Sequence, residues 1–218
     1  GGVYVIHNIN NAKNTEGWNH IMSLVRVLTL NADNTLGIEP VPAVESIRYD
    51  HKHVAKTLLS ANQEIVLDGI EGNAMELVAE IDPQAAREVC IDVLRSPAKE
   101  EYTAISFYRH GHMSVNRNGR GYKQDAIAID VSRSSLCPDV AARPPEVAPF
   151  ELADGELLSL RIFIDKSVVE VFANGSQCVA LRVYPERSDS IGVAIRAQGS
   201  DALLHSLDAW QMGNICPS

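Results

Sequence analysis

Leu160-Arg161-Ile162-Phe163-Ile164-Asp165-Lys166-Ser167-Val168-Val169-Glu170-Val171-Phe172-Ala173-Asn174-Gly175 runs on, two residues later, into Cys178 to Tyr184 and then Pro185. Leu158, Leu160, Ile162 and Ile164 fall on one side of a two-residue period, with Ser159 and Arg161 on the other, which predicts a half-buried strand. Val168 to Phe172 repeats that pattern. Asn174-Gly175 then predicts a type I′ hairpin turn, because both residues tolerate positive φ. Pro185 ends the returning strand, since it has no N–H for a ladder.

The same period extends outward in both directions. Met75, Leu77, Ala79 and Ile81 form one face, and Val89, Ile91 and Val93 another. Thr103, Ile105 and Phe107 follow, then Val179, Leu181 and Val183, Ile191, Val193 and Ile195, and finally Leu203, His205, Leu207 and Ala209, ending at Trp210. Asp68-Gly69, Asn118-Gly119 and Asp154-Gly155 read as turns between such runs. Only Pro83 to Glu88 has a brief helical look, too short to stand alone. Residues 134–149, with Pro138, Pro144, Pro145 and Pro149, predict a long surface loop. Many short strands with regular turns predict an all-β fold, a two-sheet antiparallel β-sandwich.

With 45% hydrophobic and 22% charged residues, the 218-residue chain can bury a core. Its net charge of −9 argues against nucleic acid or an anionic membrane as partner. No apolar run approaches the roughly 20 residues of a membrane span. The opening Gly1-Gly2-Val3-Tyr4 lacks a Met and a leader pattern, and predicts an interior piece of a longer polypeptide or a processed product. Cys90, Cys137, Cys178 and Cys216 include no CxxC pair; they allow three disulfide pairings and equally suit reduced thiols.

Three stretches, in order, resemble glycoside hydrolase family 32. Gly17-Trp18-Asn19-His20-Ile21-Met22-Ser23-Leu24-Val25-Arg26-Val27-Leu28-Thr29-Leu30 is similar to the segment that closes the last blade of that family's catalytic propeller, with Val25 where the family has proline. Pro40 to Arg48 resembles the family's linker. Leu160 to Gly175, with Arg182-Val183-Tyr184-Pro185, resembles its sandwich signature. The resemblance implies last-blade strands over 1–36, a linker over 37–50 and a C-terminal sandwich over 51–218. It implies a five-bladed catalytic propeller upstream as partner, and hydrolysis of terminal β-D-fructofuranosyl bonds in sucrose, inulin or levan by retaining double displacement, without metal or organic cofactor. The family's Asn-Asp-Pro-Asn, Arg-Asp-Pro and Glu-Cys strings do not occur here. No catalytic, cofactor-binding or metal residue is therefore assigned within the chain. Secretion is favoured over the cytoplasm, and the compartment is otherwise left open.

Retaining glycosidases place two carboxyl groups about 5–5.5 Å apart. Asp165 and Glu170 on one extended strand would lie about 16 Å apart on opposite faces, unless Lys166-Ser167 turns the chain. Asp165 reads as a turn residue, and Glu170 as an interdomain contact facing the propeller. His51/His53 and His110/His112 each share a strand face but lack further ligands at zinc spacing, and read as exposed loop histidines, with Gly111 marking a turn. Gly119-Arg120-Gly121 is too short to cradle phosphate and reads as a mobile loop beside Asn116 to Asn118. Trp18 and Trp210 read as packing residues rather than sugar platforms. Asn174-Gly175-Ser176 is a candidate glycosylation site. Two other readings stay open: a free-standing carbohydrate-binding sandwich, and an interaction module forming homodimers. Fructosyl transfer is a sister activity that this part of the sequence does not separate from hydrolysis.

Overall fold

The computed structural model describes residues 2–10, 12–115 and 118–215. Among them, two antiparallel sheets face each other. Strands are numbered in chain order. The first sheet has six strands, in the spatial order β13 (Glu146–Pro149), β12 (Gly121–Asp130), β11 (Thr103–Val115), β10 (Glu88–Arg95), β17 (Gly192–Gln198) and β8 (Glu64–Glu71). The second has seven: β16 (Gln177–Arg182), β15 (Val168–Ala173), β14 (Leu158–Asp165), β9 (Ala74–Asp82), β18 (Ala202–Met212) and β6 (Arg48–Val54), with β7 (Thr57–Leu59) also pairing β18. The expected two-sheet antiparallel sandwich is what forms.

The two-residue period explains the core. Met75, Leu77, Ala79 and Ile81 of β9, Leu158, Leu160, Ile162 and Ile164 of β14, and Val169 and Val171 of β15 all point inward. They meet Val89, Ile91 and Val93 of β10, and Ile105 and Phe107 of β11, in one apolar cluster. Burying each of the larger side chains among these stabilises the fold by about 1.5–3 kcal/mol. The β15–β16 turn is as expected: Asn174 has φ 45° and Gly175 φ 58°, the positive pair that type I′ requires.

Several local expectations are corrected. Pro83 to Glu88 is a turn, not a helix: the Gln84 amide donates to Asp82 Oδ1 (2.9 Å), the Ala86 amide donates to the Pro83 carbonyl, and β10 begins at Glu88. Asp68-Gly69 separates no strands. Gly69 (φ 76°) lies inside β8, beside a register shift against β17, because a bulge uses the same positive φ as a turn. His110, Gly111 and His112 lie within β11 at a bulge rather than in a connecting turn, with His110 at φ 53°. Gly119 (φ 74°) turns the chain between β11 and β12; Asn116 and Arg117 lie outside the described residues.

The first 47 residues form two small sheets. One has the order β1 (Val3–Val5), β4 (Arg26–Leu30) and β5 (Leu36–Pro40); the other pairs β2 (Asn8–Ile9) with β3 (Ile21–Met22). The segment 37–50, read from sequence as a linker, holds most of β5, a 3-10 helix over Pro42–Ile47 and the start of β6. Tyr4, Leu30 and Leu36 of the three-stranded sheet are 54–73% exposed.

Candidate functional site

Along β9, β14 and β15, the residues that alternate with the core point to the outer face of the seven-stranded sheet. Period two alone would leave them in water. Instead Glu76, Phe163, Val168, Glu170 and Phe172 are buried, as is Arg182 of β16, in register with Val168. The cover is the N-terminal region: Val44 packs on Phe163 and Phe172, with Leu24, Ile38, Ile47, Cys178 and Met212 around them. The two phenylalanine rings meet edge to face at 5.9 Å. The turn of the β15–β16 hairpin closes the contact, since the Gly175 carbonyl accepts the Ile38 amide at 2.7 Å. A cavity of about 260 Å³ opens beside it, with Glu39, Glu156, Arg161 and Asn174 in its wall.

Two carboxylates organise this face. The Leu24 amide donates to Glu170 Oε1 and Arg26 Nη2 donates to Oε2, both at 2.6 Å, and the Arg26 guanidinium lies 5.6 Å from the Phe172 ring centre. Both partners are buried, so the charge is compensated where water cannot screen it. Glu76, with no exposed surface, takes two arginines. Arg48 approaches it bidentately, with both bonds at 2.7 Å, and Arg161 donates twice to Oε1 at 2.9 and 2.7 Å. Arg48 stacks on Trp210 at 4.2 Å, and Glu45 completes the group from the 3-10 helix. The Glu76 hydrogen bonds hold Arg48 in its charged form, raising its pKa.

The remaining residues singled out from sequence scatter. Lys166-Ser167 does turn the chain. Asp165 pairs with Val168 and Phe163 with Glu170, which puts Asp165 and Glu170 on one face rather than two. Asp165 is exposed, whereas both Glu170 oxygens are engaged, so the two carboxylates form no acid/nucleophile pair. His51 Nε2 and His53 Nδ1 both bond Asp208 Oδ1, at 2.7 and 2.9 Å, from strand β6 rather than from a loop. His110 lies 3.3 Å from Asp125. No group of three His, Cys, Asp or Glu side chains able to hold a metal ion occurs among the described residues. Asn174 lies at the hairpin turn. Its Nδ2 donates to Glu156 Oε1 (2.9 Å) and the Leu157 carbonyl (2.8 Å), and its Oδ1 accepts the Ser159 amide (2.8 Å). Attaching a sugar to Nδ2 would remove one of those two donors. Cys90, Cys137 and Cys178 carry free thiols, and Cys216 lies outside the described residues. Trp210 stacks on His51 at 4.8 Å; Trp18 lies over Arg182 and remains 46% exposed.

Sequence reading assigned no role to Glu76, Glu101 or Asp208, nor to Arg182, which stood only as part of the sandwich signature. Only Glu76 left a signal: a charged residue between Met75 and Leu77 in a strand otherwise rich in apolar residues.

Comparison with known proteins agrees with this architecture. The chain is 28% identical to an acid beta-fructofuranosidase of Vicia faba over 91% of its length and 35% of that protein's. It is 29% identical to a levanase of Bacillus subtilis over 88% of its length and 27% of that protein's. It thus spans about a third of the curated relatives it matches. Among solved structures, fructan 1-exohydrolase IIa of Cichorium intybus superposes with a TM-score of 0.80 at 19% identity, over 97% of this chain and 45% of that one. Residues 43–211 match the family described as "Glycosyl hydrolases family 32 C terminal", and the chain, a sandwich whose outer sheet face is covered by its own N-terminal strands, belongs to that family.

Proposed function

We propose that this chain is the non-catalytic sandwich portion of a larger β-fructosidase, and that the outer face of its seven-stranded sheet holds a catalytic propeller in place. In this reading residues 1–36 belong to the last blade, 37–50 connect, and 51–218 form the sandwich. The parent enzyme hydrolyses terminal β-D-fructofuranosyl bonds of sucrose, inulin or levan by retaining double displacement, with its carboxylates supplied by the propeller. The observation that carries this is Glu170: a buried sandwich carboxylate grips Leu24 and Arg26, within the stretch that resembles a last blade. The exposed Val3, Leu30 and Leu36 add support, since the register puts them on one face of the small sheet and apolar residues grouped in this way favour a covering partner.

The purified 218-residue chain should release no fructose from sucrose or inulin under conditions in which the polypeptide joined to its propeller does so readily. Release by a chain of verified mass would overturn the proposal. Glu170→Ala in the longer polypeptide should cost about 2–3 kcal/mol, because it removes two bonds to an ionised group, and should speed hydrogen exchange at the Leu24 amide. An unchanged urea midpoint would remove Glu170 from the contact.

A further inference from the structure

Arg182 ends β16 with its side chain on the outer face of the seven-stranded sheet, paired in register with Val168. It is 1% exposed, and Nε, Nη1 and Nη2 all lack a hydrogen-bond partner among the described residues. Its guanidinium lies against two rings, 4.7 Å from the centre of Trp18 and 5.1 Å from that of Tyr184. Ring faces attract a cation, but they accept none of the five N–H donors in the way a carboxylate does. Two carboxylates of the sheet share this face, and neither bonds Arg182: Glu170, diagonal to it, is engaged by Arg26 and the Leu24 amide, and Asp165, beyond Val168 in the same row, is exposed. Arg143 brings a third guanidinium rather than an acid, donating through Nη2 to the Arg182 carbonyl at 2.6 Å. The Nε atoms of Arg26 and Arg143 are likewise buried without a partner. Of these three arginines only Arg26 pairs with Glu170, and Arg182 is left without a bond to any acid; water alone cannot neutralise a buried ion.

The geometry points to Arg182 as a receptor for a carboxylate from outside this chain, an Asp or Glu side chain of the catalytic propeller, gripped bidentately beside Tyr184 once the half-exposed Trp18 ring moves off the guanidinium. Planar, forked recognition of this kind suits a guanidinium stacked on aromatic rings. Trp18 lies on the stretch that resembles a propeller blade, so the acid would reach Arg182 from the side where a blade sits. The inference deepens the docking role proposed above and rests on it.

The test uses Arg182→Met in two settings. In the 218-residue chain the substitution keeps the volume and removes an uncompensated buried charge, so the melting temperature should rise by about 2–8 °C. In the polypeptide carrying the propeller the same substitution strands a buried carboxylate, so the melting temperature should fall, and Arg182→Lys should recover part of the loss. A rise in both settings, or no change in the longer polypeptide, would mean that no acid arrives. A fall in both would mean that stacking on Trp18 and Tyr184 satisfies Arg182 within the chain. Each of these outcomes overturns the inference. If the isolated chain does not fold, a crystal structure of the longer polypeptide decides: a carboxylate oxygen within about 4 Å of the guanidinium supports it, and water or an inorganic ion alone there overturns it. Fructose release by the unsubstituted proteins tests the docking role separately, so the two ideas fail by different readouts.

Discussion

Glu76→Gln lowers the unfolding free energy by about 3–5 kcal/mol, read from urea unfolding, because it leaves two arginines without their counter-charge. Glutamine keeps the shape and one acceptor oxygen. It cannot neutralise Arg48 and Arg161, whose side chains are only 18% and 25% exposed. Glu45→Gln serves as the control. Glu45 is 48% exposed and touches the same arginines at 3.6 and 3.3 Å, so water replaces it at a cost under about 1 kcal/mol. Replacing Glu76, Arg48 and Arg161 together with apolar residues of similar volume should be far milder than Glu76→Gln alone, since that removes all three buried charges. A triple variant as unstable as the single one would show that packing, not charge, dominates at this site.

Glu101→Ala should cost about 4 kcal/mol or more, with the loops around it losing hydrogen-exchange protection first. Glu101 has no exposed surface. Its carboxylate accepts the Leu136 amide at 2.6 Å, the Glu186 and Arg187 amides at 3.0 Å, and the Ser190 hydroxyl at 2.7 Å. The truncation orphans four donors at once, at about 1–3 kcal/mol each before water enters. The site also sets an acid limit. Burial by itself would raise the Glu101 pKa, but the bonds from Ser190, Glu186, Arg187 and Leu136 outweigh it and hold the carboxyl below its ordinary value. The stabilisation is therefore complete above the unfolded value of about 4.3 and is lost as pH falls through the lower folded value. Glu101→Gln should flatten that part of the stability–pH curve; an unchanged slope would place the acid sensitivity elsewhere.

The strands and the β15–β16 hairpin were legible because Leu160, Ile162 and Ile164 obey one period and Asn174-Gly175 suits one turn. The Asp68-Gly69 bulge was not, since the dipeptide permits positive φ without saying whether a turn or a bulge uses it. The covered outer face was harder still. By period alone Glu170 falls on the solvent side of a strand; only the family resemblance marked it as an interdomain contact, and nothing in the sequence named its partner Arg26, 144 positions earlier. Tertiary cover of this kind leaves no periodic trace. Asp208 shows the same limit: His51 and His53 announced a shared face, but the carboxylate between them comes from β18, more than 150 positions away.

The position of β18 has a consequence for biosynthesis. It lies between β9 and β6 and also pairs β7, along most of its length. As the chain leaves the ribosome, the β14–β15–β16 hairpins can form at once, while β6 and β9 wait for a strand that begins only at Ala202. Until it arrives, the nascent sheet has unpaired edges in its middle, where aggregation and chaperone capture begin. A premature stop before residue 202 would therefore leave a four-stranded β16–β15–β14–β9 sheet with β6 and β7 unpaired, rather than a slightly shorter sandwich.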